Sequence, residues 1–569
     1  MREHLRNNKG ILLFCLAWFF LNLIQAFFTE IIDDEAYYWL YSRFPAWGYF
    51  DHPPMVAFLI KLGYGIFPNE MGVRFFSSLL GAGTIYITWL MIPERLRDLR
   101  LFMLTVFAIS LMHLNVAGFV ALPDTPLVFF AALFFLVLRR YLEEDRIGQA
   151  LLLGVIVALM MYSKYHALLI LFFTILSDWK LITRKSFWLI VAVAVIMYIP
   201  HILWQIKNDF VSFQYHLVGR NDPFQPRQIL EYLGNQILVT GPFVGVILLY
   251  LGFTRKAAGS FERMLKFNLI GFFGFFLLSS VRGHVEPHWT AAVFPPLIIL
   301  AFLNLDGRTQ IRKWLRILGF ASIPAILLIR VYLVWNILPL PDHVTRMFHD
   351  KDKWSVQIEE LAGDRPVVFM NRFQNPSVYW FYTGKTAFTR NNILYRRNQF
   401  DVWPLEEQLE GKRVVLSRWS SGRDSVKVLE TVHGDFPYYE IDRYCSFNRL
   451  RIKILEDEIE SVTDGEYSVK VSITNPTSVK VCLDCECDLP PLLMYTYYSE
   501  DIRFRSSTVE SQPELGSLEP GEEILLDVPL IAPEDPGIYS LNVSLGSAIL
   551  LPGINGGSVE LTVNSPGDH

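Results

Sequence analysis

Charge is scarce in this sequence. Of 569 residues, 19% are charged, against about a quarter in ordinary soluble domains. The formal net charge of −5 identifies no polyanionic partner, and no nucleic-acid partner is expected. Only five residues are cysteine. No internal repeat is visible, so the inverted symmetry expected of many secondary transporters is missing. No small-residue cleavage site follows the first apolar run. Arg2, Arg6 and Lys9 therefore precede an uncleaved anchor rather than a signal peptide.

Apolar residues are plentiful. They make up 52% of the chain, the mean hydropathy is +0.30, and the excess is gathered before residue 340. Stretches such as Pro126–Leu138 and Phe187–Ile199 carry no charge at all. Such runs are too long and too repeated for core helices, so the chain reads as a polytopic α-helical membrane protein. A soluble enzyme, a secreted protein and a nucleic-acid binder are excluded.

Apolar runs of roughly 17–25 residues predict about 11 transmembrane helices. They lie near 11–28, 71–92, 101–121, 124–141, 148–163, 165–179, 186–206, 233–253, 266–281, 289–305 and 314–338. Lys and Arg cluster in alternate loops, at Arg95, Arg97 and Arg100, at Arg139, Arg140 and Arg146, at Lys180, Arg184 and Lys185, and at Arg308, Arg312, Lys313 and Arg316. The opposite loops hold few, among them Arg220 and Arg282. The positive-inside rule then places the N-terminus in the cytoplasm and the C-terminal part outside a plasma or inner membrane. Three regions follow: a membrane domain over 1–340, an extracytoplasmic α/β domain over 341–455, and an Ig-like β-sandwich over 456–569. The sandwich rests on short alternating strands such as Tyr467–Ile473 and Ile524–Leu530, punctuated by turns. Cys445, Cys482, Cys485 and Cys487 all lie in these C-terminal regions. A disulfide, free buried thiols or half a metal site are the alternatives, and no second Cys/His pair at zinc-finger spacing follows.

The first outside loop is the informative one. Asp33, Asp34 and Glu35 follow a span directly, where carboxylates are costly and tend to be functional; a solvated helix cap is the bland alternative. Tyr37, Tyr38, Trp39, Tyr41, Phe44, Trp47, Tyr49 and Phe50 come next, an aromatic segment suited to the membrane interface. An acid held there suits a reaction on a lipid-borne substrate. Asp124, flanked by Pro123 and Pro126, sits at a helix start, where a carboxylate is also a routine stabiliser. Lys164 stands at the break between the fifth and sixth spans, with snorkelling to the interface as its ordinary role. In Arg282–Trp289, the side chains of His284, Glu286 and His288 alternate. With Asp51 they are candidates for a divalent metal ion, the one possible cofactor, or for phosphate contacts.

The order Asp34-Glu35, Tyr49–Pro54, Leu122–Pro126 and Lys164–His166 resembles the GT-C class of polyprenyl-phosphate-sugar-dependent glycosyltransferases. The likeness is to the group that holds protein O-mannosyltransferases and the lipid A aminoarabinose transferase, and covers roughly 10–340. It implies an enzyme moving a sugar from a polyprenyl-phosphate donor to a lipid, glycan or protein acceptor on the extracytoplasmic face. By that resemblance Asp34 is the general base, with Glu35 supporting it. Lys164, His52, His284 and His288 face the donor phosphate. Tyr37, Asp51, Asp124 and Glu286 contact substrate. The C-terminal sandwich is no part of the resemblance. A transporter or flippase of a lipid-linked glycan is the competing class. It would carry ionisable groups in mid-span, whereas here the acids concentrate in outside loops. A structural membrane protein displaying the sandwich would not need the first-loop carboxylates.

Overall fold

A computed structural model describes residues 8–109, 118–217, 225–417, 426–483, 487–499, 505–513 and 515–565. Arg2, Arg6, Arg220 and Cys485 lie outside them. The chain forms two compact units, Met1–His349 and Asp350–His569.

The first unit is helical. Its elements are α1 (Lys9–Phe28), α2 (Asp33–Arg43), α3 (Met55–Ile66), α4 (Glu70–Met91), α5 (Leu99–Ile109), α6 (Asp124–Glu143), α7 (Ile147–Ser163), α8 (Ala167–Ser177), α9 (Lys185–Lys207), α10 (Val211–Leu217), α11 (Pro226–Val239), α12 (Gly245–Thr254), α13 (Ser260–Ser279), α14 (Phe294–Asn304), α15 (Thr309–Val334) and α16 (Asp342–Phe348). Among the described residues, five segments are long and apolar enough to cross a membrane: α1, α6, α9, Pro287–Asn304 and α15. In α9 only 6% of the apolar window is buried, so Val195, Ile196 and Leu203 face outward. Water would not tolerate such a face, and lipid requires it. This is a multi-pass membrane domain.

Each expected span contains helix, with one correction. The run 233–253 is two helices, α11 and α12. Gly241 between them has φ +116°, and Pro242 follows it without an N–H to continue a helix. Within the expected span 101–121, residues 110–117 lie outside the described part. The first loop forms two short helices, α2 and α3, rather than a span.

The second unit begins with α17 (Lys351–Ala362) and α18 (Gln374–Thr383) around a sheet. Its strands are β1 (Val367–Met370), β2 (Ala387–Arg390), β3 (Val414–Ser417), β4 (Lys427–Thr431) and β5 (Gly434–Ile441), in the order β2-β1-β3-β5-β4. β1 runs parallel to β2 and β3, and β5 is antiparallel to β3 and β4. All four residues of β1, β2 and β3 are buried, as parallel strands covered on both faces should be.

Three further sheets follow among the described residues. A small one pairs β9 (Val481–Cys482) with β12 (Ser517–Leu518). Of the two larger, one places β8 (Glu466–Thr474) between β6 (Arg451–Ile454) and β13 (Glu523–Ile531). The other runs from β11 (Arg505–Thr508) through β10 (Leu492–Tyr498), β14 (Gly537–Gly546) and β15 (Gly557–Asn564) to β7 (Glu458–Val462). Their inner residues, among them Val471, Val528, Leu541 and Leu561, share one core, which makes the pair a sandwich. Cys445 and Cys487 form a disulfide with Cα atoms 6.0 Å apart, so Cys487 cannot belong to a metal set. Cys482 is disulfide-bonded as well.

Candidate active site

The site begins where α1 ends. Thr29 turns the chain into extended backbone, and Ile32 starts α2 with Asp33, Asp34 and Glu35 in its first turn, where the helix dipole favours negative charge. Glu35 faces inward and is fully buried. Its carboxylate accepts from Arg74 Nε at 2.9 and 3.0 Å, from the Ala121 N–H at 2.7 Å and from the Ile32 N–H at 3.1 Å. Arg74, also fully buried, sends its other nitrogens to the carbonyls of Ala26 (3.1 Å), Thr29 (2.6 Å) and Glu30 (2.8 Å). Four pieces of backbone meet on this pair: the end of α1, the start of α2, the outset of α4 and the segment entering α6.

Asp34 is half-buried on the same turn. Tyr38 lies one turn further along α2 and is buried. Burial first, then the charges of Asp34, Asp51 and Asp124, push its phenol well above its ordinary value. His52 meets the Tyr38 ring edge-on, with centroids 5.5 Å apart. Asp51 is buried, accepts from the Tyr41 hydroxyl, and lends its backbone carbonyl to His216 Nε2 at 3.0 Å. Tyr41 stacks on Tyr49 at 4.0 Å. Tyr37 is 1% exposed and packs on Tyr41 at 4.7 Å, so it supports the aromatic cluster from within.

Asp124 opens α6 and Lys164 ends α7. Both are buried, and the Lys164 ammonium donates to both Asp124 oxygens, at 2.8 and 2.9 Å. His288 Nε2 stands 3.6 Å from the same carboxylate. Buried charges are costly alone and are kept by pairing. Asp124, Lys164 and His288 therefore come from three separate parts of the sequence to one place.

The Arg282–Trp289 loop does not act as one strand. His284 and Glu286 pair with each other at 3.8 Å, each about half exposed, whereas Pro287 begins a 3₁₀ turn that carries His288 toward Asp124. The period-two alternation ends there. Among the described residues no three His, Cys, Asp or Glu side chains gather in a metal-ligand arrangement. Asp51, His284, Glu286 and His288 thus form no common ligand set, which corrects that expectation. Among the described residues no hydrogen bond or ion pair links His284 or Glu286 to the Asp124–Lys164 pair.

A cavity of about 520 Å³ lies between α2, α3 and the end of α7 and reaches Tyr49 of the aromatic group. Trp47, Tyr49, Met55, Phe58 and Tyr162 line it, with Lys61 also on its wall. Gly48 sits where the first loop crosses α9; a Cβ there would come within 2.4 Å of the Trp204 ring.

Residues 51–204 match the family model described as dolichyl-phosphate-mannose-protein mannosyltransferase. The lipid A galacturonosyltransferase RgtD of Rhizobium johnstonii is 24% identical over 326 residues, covering 52% of this chain. The chain spans 65% of that relative's length. The crystal structure of ArnT from Cupriavidus metallidurans superposes with TM-score 0.57 at 14% identity, over 76% of this chain and 98% of that one. ArnT bound to undecaprenyl phosphate matches equally well. The chain shares the fold of ArnT. The matched stretch 51–204 contains Asp51, His52, Arg74, Asp124 and Lys164, and Asp34 and Glu35 precede it.

Arg74 carries a signal in the sequence: it is a lone cation near the start of an apolar run, and such a residue marks a buried partner. His216 gives no comparable signal, because its contact with Asp51 is set by how the short helix α10 packs on the first loop.

Proposed function

We propose that this chain is an integral-membrane glycosyltransferase that moves a sugar from a polyprenyl-phosphate donor to a lipid, glycan or protein acceptor. The observation that carries the reading is the buried Asp124–Lys164–His288 cluster, in a fold whose first loop also holds a half-buried Asp34 and a buried Asp51. Asp34 takes the proton of the acceptor hydroxyl or amine as that group attacks the anomeric carbon. The bond to the polyprenyl phosphate breaks, and the phosphate leaves as an anion. A leaving group of this acidity needs stabilising charge rather than an acid.

Lys164 has three N–H donors and directs two of them to Asp124, leaving one for the phosphate, with His52 and His288 beside it. Glu35 is assigned to positioning: with both oxygens engaged, it holds Asp34 in place. The apolar cavity at Trp47 and Phe58 suits the first isoprene units of the donor. RgtD and ArnT, named for lipid A galacturonosyl transfer and solved with undecaprenyl phosphate respectively, support the donor class. Nothing favours a flippase.

The catalytic domain spans 1–340, with 341–455 and 456–569 as appended domains. The site faces the extracytoplasmic side, because the Lys/Arg-rich loops lie at the opposite ends of the helices. A reporter fused after His569 should be extracytoplasmic and one near Arg184 cytoplasmic; the reverse pattern would overturn the orientation. Mass spectrometry of envelope glycolipids and glycoproteins from cells with wild-type or Asp34→Asn protein tests the activity. Loss of one glycoform in the variant is expected, and identical profiles would refute the proposal.

A further inference from the structure

We propose that the basic face at the start of α15 binds the headgroup of an anionic phospholipid. Thr309, Arg312, Lys313, Arg316, Ile317 and Phe320 line a cavity of about 420 Å³. Spacings of three and four residues put them all on one face of the helix. The chemistry changes along that face. Three cations occupy the first two turns, and the apolar pair Ile317 and Phe320 follows. Lys313 and Phe320 are about 10 Å apart along the axis at 1.5 Å per residue, a headgroup-to-acyl distance. Phe320 is 61% exposed, which a lipid chain would cover.

The charge at this face is unbalanced. Asp98 accepts from Arg316 at 2.6 Å and lies 3.5 Å from Arg312, so two guanidinium groups share one carboxylate. Lys313 makes no ion pair among the described residues. The three cations thus exceed Asp98 by two charges, which a phosphodiester complements.

The face lies away from the acidic site. Asp98 follows the Met91 end of α4, whereas Arg74, at the other end, holds Glu35. Likewise, the far end of α15 carries Arg330, which donates to Asn22 of α1 at 2.8 Å. Orientation signalling alone requires positive charge here, but neither a cavity nor an apolar floor below the cations. Basic pockets at headgroup depth are sites of anionic lipid, and the apolar floor favours a lipid over a soluble phosphate.

The test uses the full chain in detergent, titrated with dioleoyl phosphatidylglycerol, dioleoyl phosphatidylcholine or inorganic phosphate. Retained lipid is read by native mass spectrometry and stability by thermal unfolding. Phosphatidylglycerol should bind saturably, weaken with added salt and raise the unfolding temperature, while the other two should not. Lys313→Gln should weaken that binding roughly fivefold, the worth of one interfacial cation, and Arg312→Gln/Lys313→Gln/Arg316→Gln should abolish it. Lys313 is exposed and makes no ion pair among the described residues, so the single variant decides the matter if the triple variant misfolds. Equal retention of phosphatidylglycerol by Lys313→Gln and wild type would overturn the proposal. So would equal binding of phosphatidylcholine, or displacement of the lipid by inorganic phosphate.

Discussion

Arg74 and Glu35 are both completely buried and hold each other through Nε–carboxylate contacts of 2.9 and 3.0 Å. Each also binds backbone that the other cannot reach: Arg74 the carbonyls of Ala26, Thr29 and Glu30, and Glu35 the N–H groups of Ile32 and Ala121. The Asp34 turn and the approach to Asp124 are therefore fixed by one ion pair, and the distance between Asp34 and the Asp124–Lys164 pair depends on it.

Arg74→Gln leaves the Glu35 carboxylate buried without its cation, a change that costs about 3–5 kcal/mol. Thermal unfolding of the purified variant should show this loss. Arg74→Lys should rescue little, because one ammonium cannot serve a carboxylate and three carbonyls with fork geometry. Wild-type stability in Arg74→Lys would show that charge alone matters there.

Asp34→Asn should behave differently. It keeps the size of a half-buried side chain that is not core, so expression and unfolding temperature stay near wild type. Sugar transfer should fall at least ~100-fold, the lower end of general-base contributions. Retained transfer would move the base to Asp33 or Asp51.

Lys164→Ala should weaken binding of polyprenyl phosphate far more than binding of the acceptor, with partial recovery in Lys164→Arg. The variant also strands Asp124 in a buried position, so stability must be measured beside affinity. Lys164→Ala/Asp124→Asn separates the two effects: it should recover stability without recovering donor binding. If Lys164→Ala binds polyprenyl phosphate as wild type does, the phosphate lies elsewhere.

The second unit should lose stability as pH rises. Burial pushes the carboxyl groups of Asp401 and Glu406 up, to about 6 and about 7, from ordinary values of 3.8 and 4.5. Across that window the folded chain holds protons that the unfolded chain has released, so stability falls with increasing pH. The decline runs from about pH 4 to about pH 7. Glu406 accepts from the Tyr444 hydroxyl and the Asn448 N–H, both at 3.0 Å. Amide exchange at Asn448 in the full chain should therefore be faster at pH 8 than the intrinsic rate increase explains. Glu406→Gln should flatten the excess, and an unchanged pH dependence in that variant would contradict the assignment.

The membrane helices, the first-loop acids and the C-terminal strands were legible in the sequence because each rests on a local property: an apolar run, an aromatic interface segment, a period of two. Asp34, Asp51, Asp124 and Lys164 stood out for a related reason, since charge beside long apolar runs is expensive enough to be noticed one residue at a time. What such patterns do not carry is which charge meets which. Only the folded chain brings Arg74 to Glu35, Lys164 to Asp124 and His288 to that same carboxylate, across 39, 40 and 164 positions of sequence. The split of 233–253 at Gly241-Pro242 was local and readable. The fate of the Arg282–Trp289 loop was not, because a 3₁₀ turn turned His288 inward and left His284 and Glu286 facing out. Sequence determined which segments are apolar enough to form the helices of the first unit, since hydropathy is a local property. Tertiary structure decided the pairing of buried charges, since that depends on helix packing between residues distant along the chain.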